Sequence, residues 1–374
     1  MALALELAAR GLGGVEPNPM VGCVIVAGDR VVGQGWHARF GGSHAEIEAL
    51  AQAGSAAAGA TMYVTLEPCC HHGKTPPCTE AIVRAGIRRV VVAHRDPFPR
   101  VDGGGIDQLR AAGVRVDVGL MESASRRLNA PYLKLVRQGR PWINAKWAMT
   151  LDGKLAARSG DSRWISGERS RQRVHQLRGR MDAILIGGGT ARADDPQLTV
   201  RPPGLRTPVR IVLDSQATLA TDSHLVQTAR ETPVLIAAGP GAPRQRCQML
   251  KAAGCEVWIG ASEDRDQRLM ELLDELGRLR MTHVLVEGGA QILGSLFDAR
   301  AIDEVHAFVA AKLIGGRTAP SPLAGCGLPH MQQAVALSEP TIEILDGDVY
   351  FRGRLAHGQH PLADEQHGTD PRPA

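Results

Sequence analysis

The sequence predicts an α/β protein built from two domains. Three observations lead there. Apolar runs of strand length alternate with stretches of helical periodicity, the pattern of an α/β sandwich on a largely parallel sheet. At 374 residues the chain exceeds one ordinary hydrophobic core. A polar break, Val136-Arg137-Gln138-Gly139-Arg140-Pro141, interrupts the alternation, which then restarts. The expected domains are 1–140 and 141–356, followed by a tail at 357–374.

In the first domain, Leu3 to Arg10 places Leu3, Leu7 and Ala8 on one face and reads as a helix. Val21 to Val26 is a continuous apolar run, expected as a buried strand. Ala45 to Ala53 is a helix after Gly42-Ser43-His44, and Thr61 to Leu66 is a second strand. Thr79 to Ala85 is a helix stopped by Gly86. Val90 to Ala93 and Val114 to Val118 are strands around a helix near Ile106 to Ala112. In the second domain, strands are expected at Trp142–Trp147, Ala183–Ile186, Val209–Leu213, Val234–Ala237, His283–Val286, Val305–Ala310 and Val349–Leu355. Helices are expected at Glu168–Leu177, at Asp266–Leu279 and from Gly289 to Phe297. The tail is polar and rich in His, Pro and Asp, too poor in apolar residues to pack, so disorder is expected.

Composition narrows the function classes. Hydrophobic residues make up 44% and charged residues 22%, which fits a globular protein in water. The net charge of +4 is spread along the chain and aromatic content is 3%, which argues against a nucleic-acid partner and suits a small anionic ligand. No apolar run reaches the ~20 residues needed to cross a bilayer, so no membrane partner is expected. Met1 to Arg10 lacks a basic start and a cleavage pattern, so it is not read as a signal peptide. The seven cysteines are an odd number in a long chain, which disfavours a disulfide scaffold. A reducing, cytoplasmic compartment and a metal role for some thiols fit better.

The chemistry concentrates between Gly41 and Cys78. His44-Ala45-Glu46 is followed by Pro68-Cys69 and then Cys78. One imidazole, two thiols and a carboxylate outside the donor set are what a hydrolytic zinc site needs. The order matches the zinc deaminase signature H-x-E…P-C-x-x-C, here stretched to P-C-x8-C. Thiols near helix N-termini favour the thiolate form. Zn2+ held by His44, Cys69 and Cys78 would bring a bound water's pKa towards neutrality. Glu46 is then free to take a proton from that water and hand it to a leaving amine. The plain alternative is a surface histidine with cysteines packed in the core. Cys70, His71 and His72 are rival donors, and Cys69 is preferred because it follows Pro68.

The longer context is more specific. Pro17-Asn18-Pro19-Met20-Val21-Gly22, His44-Ala45-Glu46 and the run Leu66-Glu67-Pro68-Cys69-Cys70-His71-His72-Gly73-Lys74-Thr75-Pro76-Pro77-Cys78 resemble the riboflavin-biosynthesis bifunctional deaminase/reductase family, the RibD family. The resemblance implies a cytidine-deaminase-like α/β/α sandwich for the first domain. It also implies substrate contacts at Asn18 and Lys74. One departure is Asp96-Pro97-Phe98-Pro99, where the family often has Asn at the third position. An apolar ring cannot supply that residue's hydrogen bond.

The second half carries glycine turns at Gly187-Gly188-Gly189-Thr190 and Gly288-Gly289, each after a strand. Glycines permit close backbone approach to a phosphate, but neither turn is a G-x-G-x-x-G fingerprint. Met149-Thr150-Leu151-Asp152-Gly153-Lys154, Asp161 to Ser166, Asp194 to Arg201, Leu213-Asp214-Ser215 and Val286 to Gly289 resemble, in order, the family's reductase half. The resemblance implies a dihydrofolate-reductase-like α/β domain that uses NADPH. By position, Ala148, Trp164, Thr190, Asp194, Ser215 and the turn from Gly289 would line NADPH. Ser162, Arg178, Leu198, Arg201 and Glu287 would line substrate, the two arginines clamping a sugar phosphate. Asp152 and Glu287 are the candidate proton donors.

The expected activity is therefore double. Zinc-dependent deamination of 2,5-diamino-6-(5-phosphoribosylamino)pyrimidin-4(3H)-one would be followed by NADPH-dependent reduction of the ribosyl unit. The product would be 5-amino-6-(5-phosphoribitylamino)uracil. The expected partner is a small-molecule phosphoribosylaminopyrimidine, and the chain is expected to form a homo-oligomer. Two rivals stand beside this reading: a nucleic-acid deaminase with an appended binding domain, and a half-active relative whose pocket has decayed around Phe98.

Overall fold

The computed structural model describes residues 1–72, 76–204 and 206–356; Lys74 and the 357–374 tail lie outside the described residues. The chain runs through α1 (Ala2–Ala9), β1 (Gly22–Ala27), β2 (Arg30–Trp36), α2 (Ala45–Ala53), β3 (Thr61–Val64), α3 (Cys78–Arg84), β4 (Arg89–Val92), α4 (Gly104–Ala111), β5 (Arg115–Val118), α5 (Glu122–Leu128) and α6 (Ala130–Gln138). It continues through β6 (Trp142–Thr150), α7 (Glu168–Arg178), β7 (Ala183–Gly187), α8 (Gly188–Asp194), β8 (Val209–Leu213), α9 (His224–Gln227), β9 (Val234–Ala238), α10 (Arg244–Ala252) and β10 (Glu256–Ile259). The last elements are α11 (Arg265–Arg278), β11 (His283–Val286), α12 (Ala290–Asp298), β12 (Glu304–Ala310), β13 (Leu337–Leu345) and β14 (Asp348–Leu355). Two compact units result: Met1–Trp142 with Val174–Val284, and Ile143–Arg173 with the chain from Leu285 onward.

In the first unit, the N-terminal sheet has the order β2-β1-β3-β4-β5. β3, β4 and β5 are parallel, but β1 pairs antiparallel with both β2 and β3. The sheet is thus mixed, not largely parallel as the alternation suggested. The unforeseen strand is β2, where Gly33 and Gly35 interrupt the apolar pattern. Those glycines are there for the helix above. A Cβ on Gly33 would lie 2.2 Å from the Ala49 carbonyl oxygen, and one on Gly35 would lie 2.6 Å from that of Ala45. α2 therefore presses directly on β2, which fixes the helix N-terminus that carries His44 and Glu46. In the core cluster that α2 joins through Ala49, Ile25, Met62, Val64, Ile82, Val92 and Leu109 are also fully buried. Each large side chain among them stabilises the fold by about 1.5–3 kcal/mol.

The expected linker at 136–141 is shorter than its composition implied. Val136, Arg137 and Gln138 form the last turn of α6, which ends at Gly139 in the left-handed region at φ 66°. Tyr132 and Leu133 on this helix pack with Leu66, next to the segment leading to Cys69.

The same unit holds a parallel array in the order β10-β9-β8-β7. All five residues of β9 are apolar and buried, as a covered parallel strand requires, while β8 carries one buried arginine, Arg210, among its apolar residues. α11 begins where the Asp264 carboxylate accepts the Gln267 backbone N–H at 2.7 Å. In the second unit, β6 is parallel to β12, and β14 is antiparallel to both β12 and β13. β13 was not foreseen: most of its residues are exposed, and its apolar alternation is confined to Ile342 and Ile344 around Glu343. No helix among the described residues is long and apolar enough to cross a membrane.

Candidate active site

His44, Cys69 and Cys78 come from three separate elements and converge. His44 is the N-cap of α2, with extended backbone at φ −76° and ψ 159°. Cys69 lies in the loop after β3, and Cys78 is the first residue of α3. His44 Nδ1 lies 3.2 Å from Cys78 Sγ and 3.5 Å from Cys69 Sγ. The three donor atoms lie within 4.8 Å of one another. Zinc bonds of their usual lengths in tetrahedral geometry put imidazole nitrogen and thiolate sulfur about 3.6 Å apart, so the donor set fits one zinc ion. Cys70, the rival donor, turns away: its Sγ lies 3.7 Å from the Arg100 carbonyl oxygen.

The electrostatics of the three groups are those of one shared proton network. Hydrogen bonds from Cys78, then His44, outweigh burial and bring the Cys69 thiol down to about 4. Its partner Cys78 is pushed up, by the hydrogen bond to Cys69 first and then by burial. His44 is raised to about 9, chiefly by its hydrogen bond to Cys69. A thiol pair this close keeps one proton between its members, and a divalent cation displaces it. Glu46 sits one residue into α2 and is only 3% exposed. Burial pushes its carboxyl up to about 7, against the pull of His44. A carboxyl near neutrality beside a metal-donor cluster is suited to proton transfer in both directions.

Asn18 is placed beside this cluster through a residue that sequence reasoning missed. The Asn18 side-chain amide donates to His37 Nε2 at 3.2 Å, and His37 Nδ1 donates to the Ser43 carbonyl oxygen at 2.9 Å. The buried His37 ring meets the His44 ring edge to face, with centroids 5.3 Å apart. His37 had no motif spacing to flag it, and the strand it follows, β2, was itself unforeseen. Phe98 lies with its ring centroid 6.1 Å from that of His71, and its backbone N–H donates to Asp96 Oδ1 at 2.9 Å.

Glu67 is the second unforeseen residue. Its buried carboxylate accepts four backbone N–H groups: Asp96 and Gly103 on one oxygen, at 3.1 Å each, and Gly105 and Ile106 on the other, at 2.9 and 3.1 Å. The carboxylate thus caps α4 and ties the 96–106 loop to the Pro68-Cys69 segment. Gly105 allows that approach, since a Cβ there would lie 2.0 Å from the Pro68 carbonyl oxygen. Glu67→Gln replaces one acceptor oxygen with an N–H2 facing two N–H donors. We expect a loss of about 3 kcal/mol in stability, read as a lowered thermal unfolding midpoint; an unchanged midpoint would show that the four contacts are not made.

The residues assigned to the reductase half fall in both units. In the first, Thr190 and Asp194 lie on α8, which starts directly at Gly188 with no intervening glycine loop. Ser215 Oγ accepts from Arg268 Nη2 at 2.6 Å. Arg178 and Arg201 come together around Thr199: Arg178 Nη1 donates to its carbonyl oxygen at 3.2 Å and Arg201 Nε to its hydroxyl at 3.1 Å. Leu198, between them, is buried and has φ 51°.

In the second unit, Ala148 lies on β6 and Ser162 in the segment before α7. Trp164 is 65% exposed, so it is not a core residue, and the Arg171 guanidinium lies 4.7 Å from its ring centroid. Gly289 is the N-cap of α12 at φ 85°. Glu287 faces Lys146, with Nζ 3.8 Å from Oε2. Lys146 was missed; a lone lysine inside the apolar run of β6 was the available signal. Asp152 is a poor proton donor. Its carboxylate accepts from Thr150 Oγ1 at 2.6 Å and from the Gly315 N–H at 2.7 Å, and these bonds hold its pKa below the usual range.

The chain is similar to known proteins along most of its length. Residues 1–94 match the family described as cytidine and deoxycytidylate deaminase zinc-binding region. Residues 141–349 match the RibD C-terminal domain. The riboflavin biosynthesis protein RibD of Actinobacillus pleuropneumoniae is 41% identical over 349 residues, covering 93% of this chain and 93% of that protein. The RibD of Escherichia coli (strain K12) is 41% identical over 84% of this chain and 88% of its own length. Among solved structures, Acinetobacter baumannii RibD superposes with a TM-score of 0.83 at 36% identity, covering 95% of this chain and 97% of that one. The diaminohydroxyphosphoribosylaminopyrimidine deaminase/5-amino-6-(5-phosphoribosylamino)uracil reductase of Thermotoga maritima superposes with a TM-score of 0.79 at 35% identity, over 95% and 97% of the two chains. With its deaminase zinc-binding region, its reductase domain and relatives matched over nearly their full length, the chain belongs to the RibD family of bifunctional riboflavin-biosynthesis deaminase/reductases.

Proposed function

We propose that residues 1–140 deaminate 2,5-diamino-6-(5-phosphoribosylamino)pyrimidin-4(3H)-one and that residues 141–356 reduce the deaminated product. The observation that carries the first step is the His44–Cys69–Cys78 donor cluster beside the buried Glu46. Zinc, when bound there, supplies the Lewis acidity that makes water a nucleophile near neutral pH. Glu46 takes a proton from the attacking water and returns it to the leaving amino nitrogen, so that water is consumed and ammonia released. Asn18, held by His37, and Lys74 bind the substrate.

In the second step the ribosyl unit is reduced to ribityl, giving 5-amino-6-(5-phosphoribitylamino)uracil; NADPH, when bound, would supply the hydride. Arg178 and Arg201, already converged on Thr199, bind the sugar phosphate by paired hydrogen bonds. Ser162, Leu198 and Glu287 complete the substrate contacts, with Ala148, Trp164, Thr190, Asp194, Ser215 and Gly289 on the cofactor. Of the two candidates, Asp152 and Glu287, it is Glu287, with Lys146 beside it, that handles the proton. Free cysteines throughout suit the cytoplasm. The exposed Ile342 and Ile344 on β13 suit a homo-oligomer, and the dispersed charge suits a small-molecule partner over nucleic acid. The purified protein should release ammonia from the diamino substrate and oxidise NADPH only once the deaminated product is present. NADPH oxidation on the diamino substrate without ammonia release would reverse the order.

A further inference from the structure

The Gly13–Glu16 turn precedes Asn18 and is held by a side chain from the other half of the sequence. Arg206 Nε donates to the Gly13 carbonyl oxygen at 2.9 Å, and Arg206 Nη2 donates to that of Glu16 at 2.6 Å. Its Nη1 pairs with Asp182. Asp182 is itself fixed, its other oxygen accepting the N–H groups of Thr282 and His283 at 2.8 and 2.9 Å. The Glu16 carboxylate is 4% exposed; one oxygen accepts the Gly13 N–H at 2.9 Å. The other has no hydrogen-bond partner and lies 3.7 Å from Arg206 Nη2. The turn then passes its geometry on. The Asn18 N–H donates to the Val15 carbonyl oxygen at 2.9 Å, and the Asn18 side chain reaches His37, which is bonded to the carbonyl of Ser43, next to His44.

We propose that Arg206 is a positioning residue for the deaminase: it sets the Asn18 side chain from the β7–β11 side of the fold and so tunes substrate affinity at the zinc site. The guanidinium fork suits this task because its fixed donors reach two carbonyls and a carboxylate at once, which a lysine cannot do. It touches neither the donor cluster nor Glu46, so its loss acts on binding and leaves the chemical step in place. This rests on the reading of Asn18 as a substrate contact.

The test uses the full-length zinc-loaded protein and measures ammonia release and NADPH oxidation for Arg206→Ala, Asn18→Ala and the double variant Glu16→Gln/Arg206→Ala. The double variant removes the buried carboxylate that Arg206→Ala would strand. Arg206→Ala and the double variant should raise the deaminase KM about tenfold, the worth of roughly one buried hydrogen bond. Deaminase kcat and both reductase constants should stay unchanged. An unaltered deaminase KM in the double variant overturns the proposal, as does a parallel loss of both activities in step with the folded fraction. If Asn18→Ala leaves KM unaltered, the reading of Asn18 fails and the proposal falls with it. If Asn18→Ala raises KM and the Arg206 variants do not, only the role of Arg206 is lost.

Discussion

Glu46→Gln should lower deaminase kcat by about 10²–10⁴-fold, the usual worth of a positioned proton shuttle, while NADPH oxidation on the deaminated substrate is unchanged. Gln fills the same buried space at the start of α2, so the zinc donors keep their places, but its amide cannot accept and release a proton at neutral pH. The wild-type carboxyl must be ionised to accept the water's proton. Deaminase activity therefore falls as pH drops through the Glu46 pKa, which burial raises and a bound cation lowers. That acid limb should vanish in the variant. A Glu46→Gln protein that releases ammonia at the wild-type rate would remove Glu46 from the mechanism.

Cys78→Ser should take bound zinc from one ion per chain to near none and abolish ammonia release, with the reductase reaction retained. Serine is smaller and stays protonated, so the set keeps one imidazole and one thiolate, too few for a tight zinc site. Cys70→Ser provides the contrast. Its sulfur belongs to the Arg100 contact and not to the donor cluster, so its zinc content should match the wild type. Metal analysis after dialysis, paired with the ammonia assay, reads both variants. A Cys78→Ser protein holding one zinc, or a zinc-free Cys70→Ser protein, would redraw the ligand set. Chelation of the wild-type protein should reproduce the Cys78→Ser phenotype, and added zinc should reverse it.

Much of the site was legible because its chemistry is local. His44-Ala45-Glu46 occupies one helix start, and Pro68-Cys69 and Cys78 occupy another loop and helix start. Residue type and short spacing are enough to mark such groups. Glu67, His37 and Lys146 were not legible, because what they do depends on partners far along the chain. Glu67 acts on N–H groups 29 to 39 residues away. His37 lies between Asn18 and Ser43, and Lys146 meets Glu287 across the second unit. Asp152 is the converse case. Its motif suggested chemistry, and the hydrogen bonds from Thr150 and Gly315 use its carboxylate for structure.

The sequence by itself determined the α/β class, most of the strands and helices, the family and the zinc donor types, because apolar periodicity and donor identity are properties of short segments. The tertiary structure decided the antiparallel β1–β2 hairpin, whose glycines make sense only against α2. It decided the choice of Cys69 over Cys70, which turns on where two adjacent sulfurs point. It also decided the placing of Arg206 against the turn before Asn18. Each of these depends on close approach between segments distant in sequence, where hydrogen-bond geometry and excluded volume, not composition, determine the outcome.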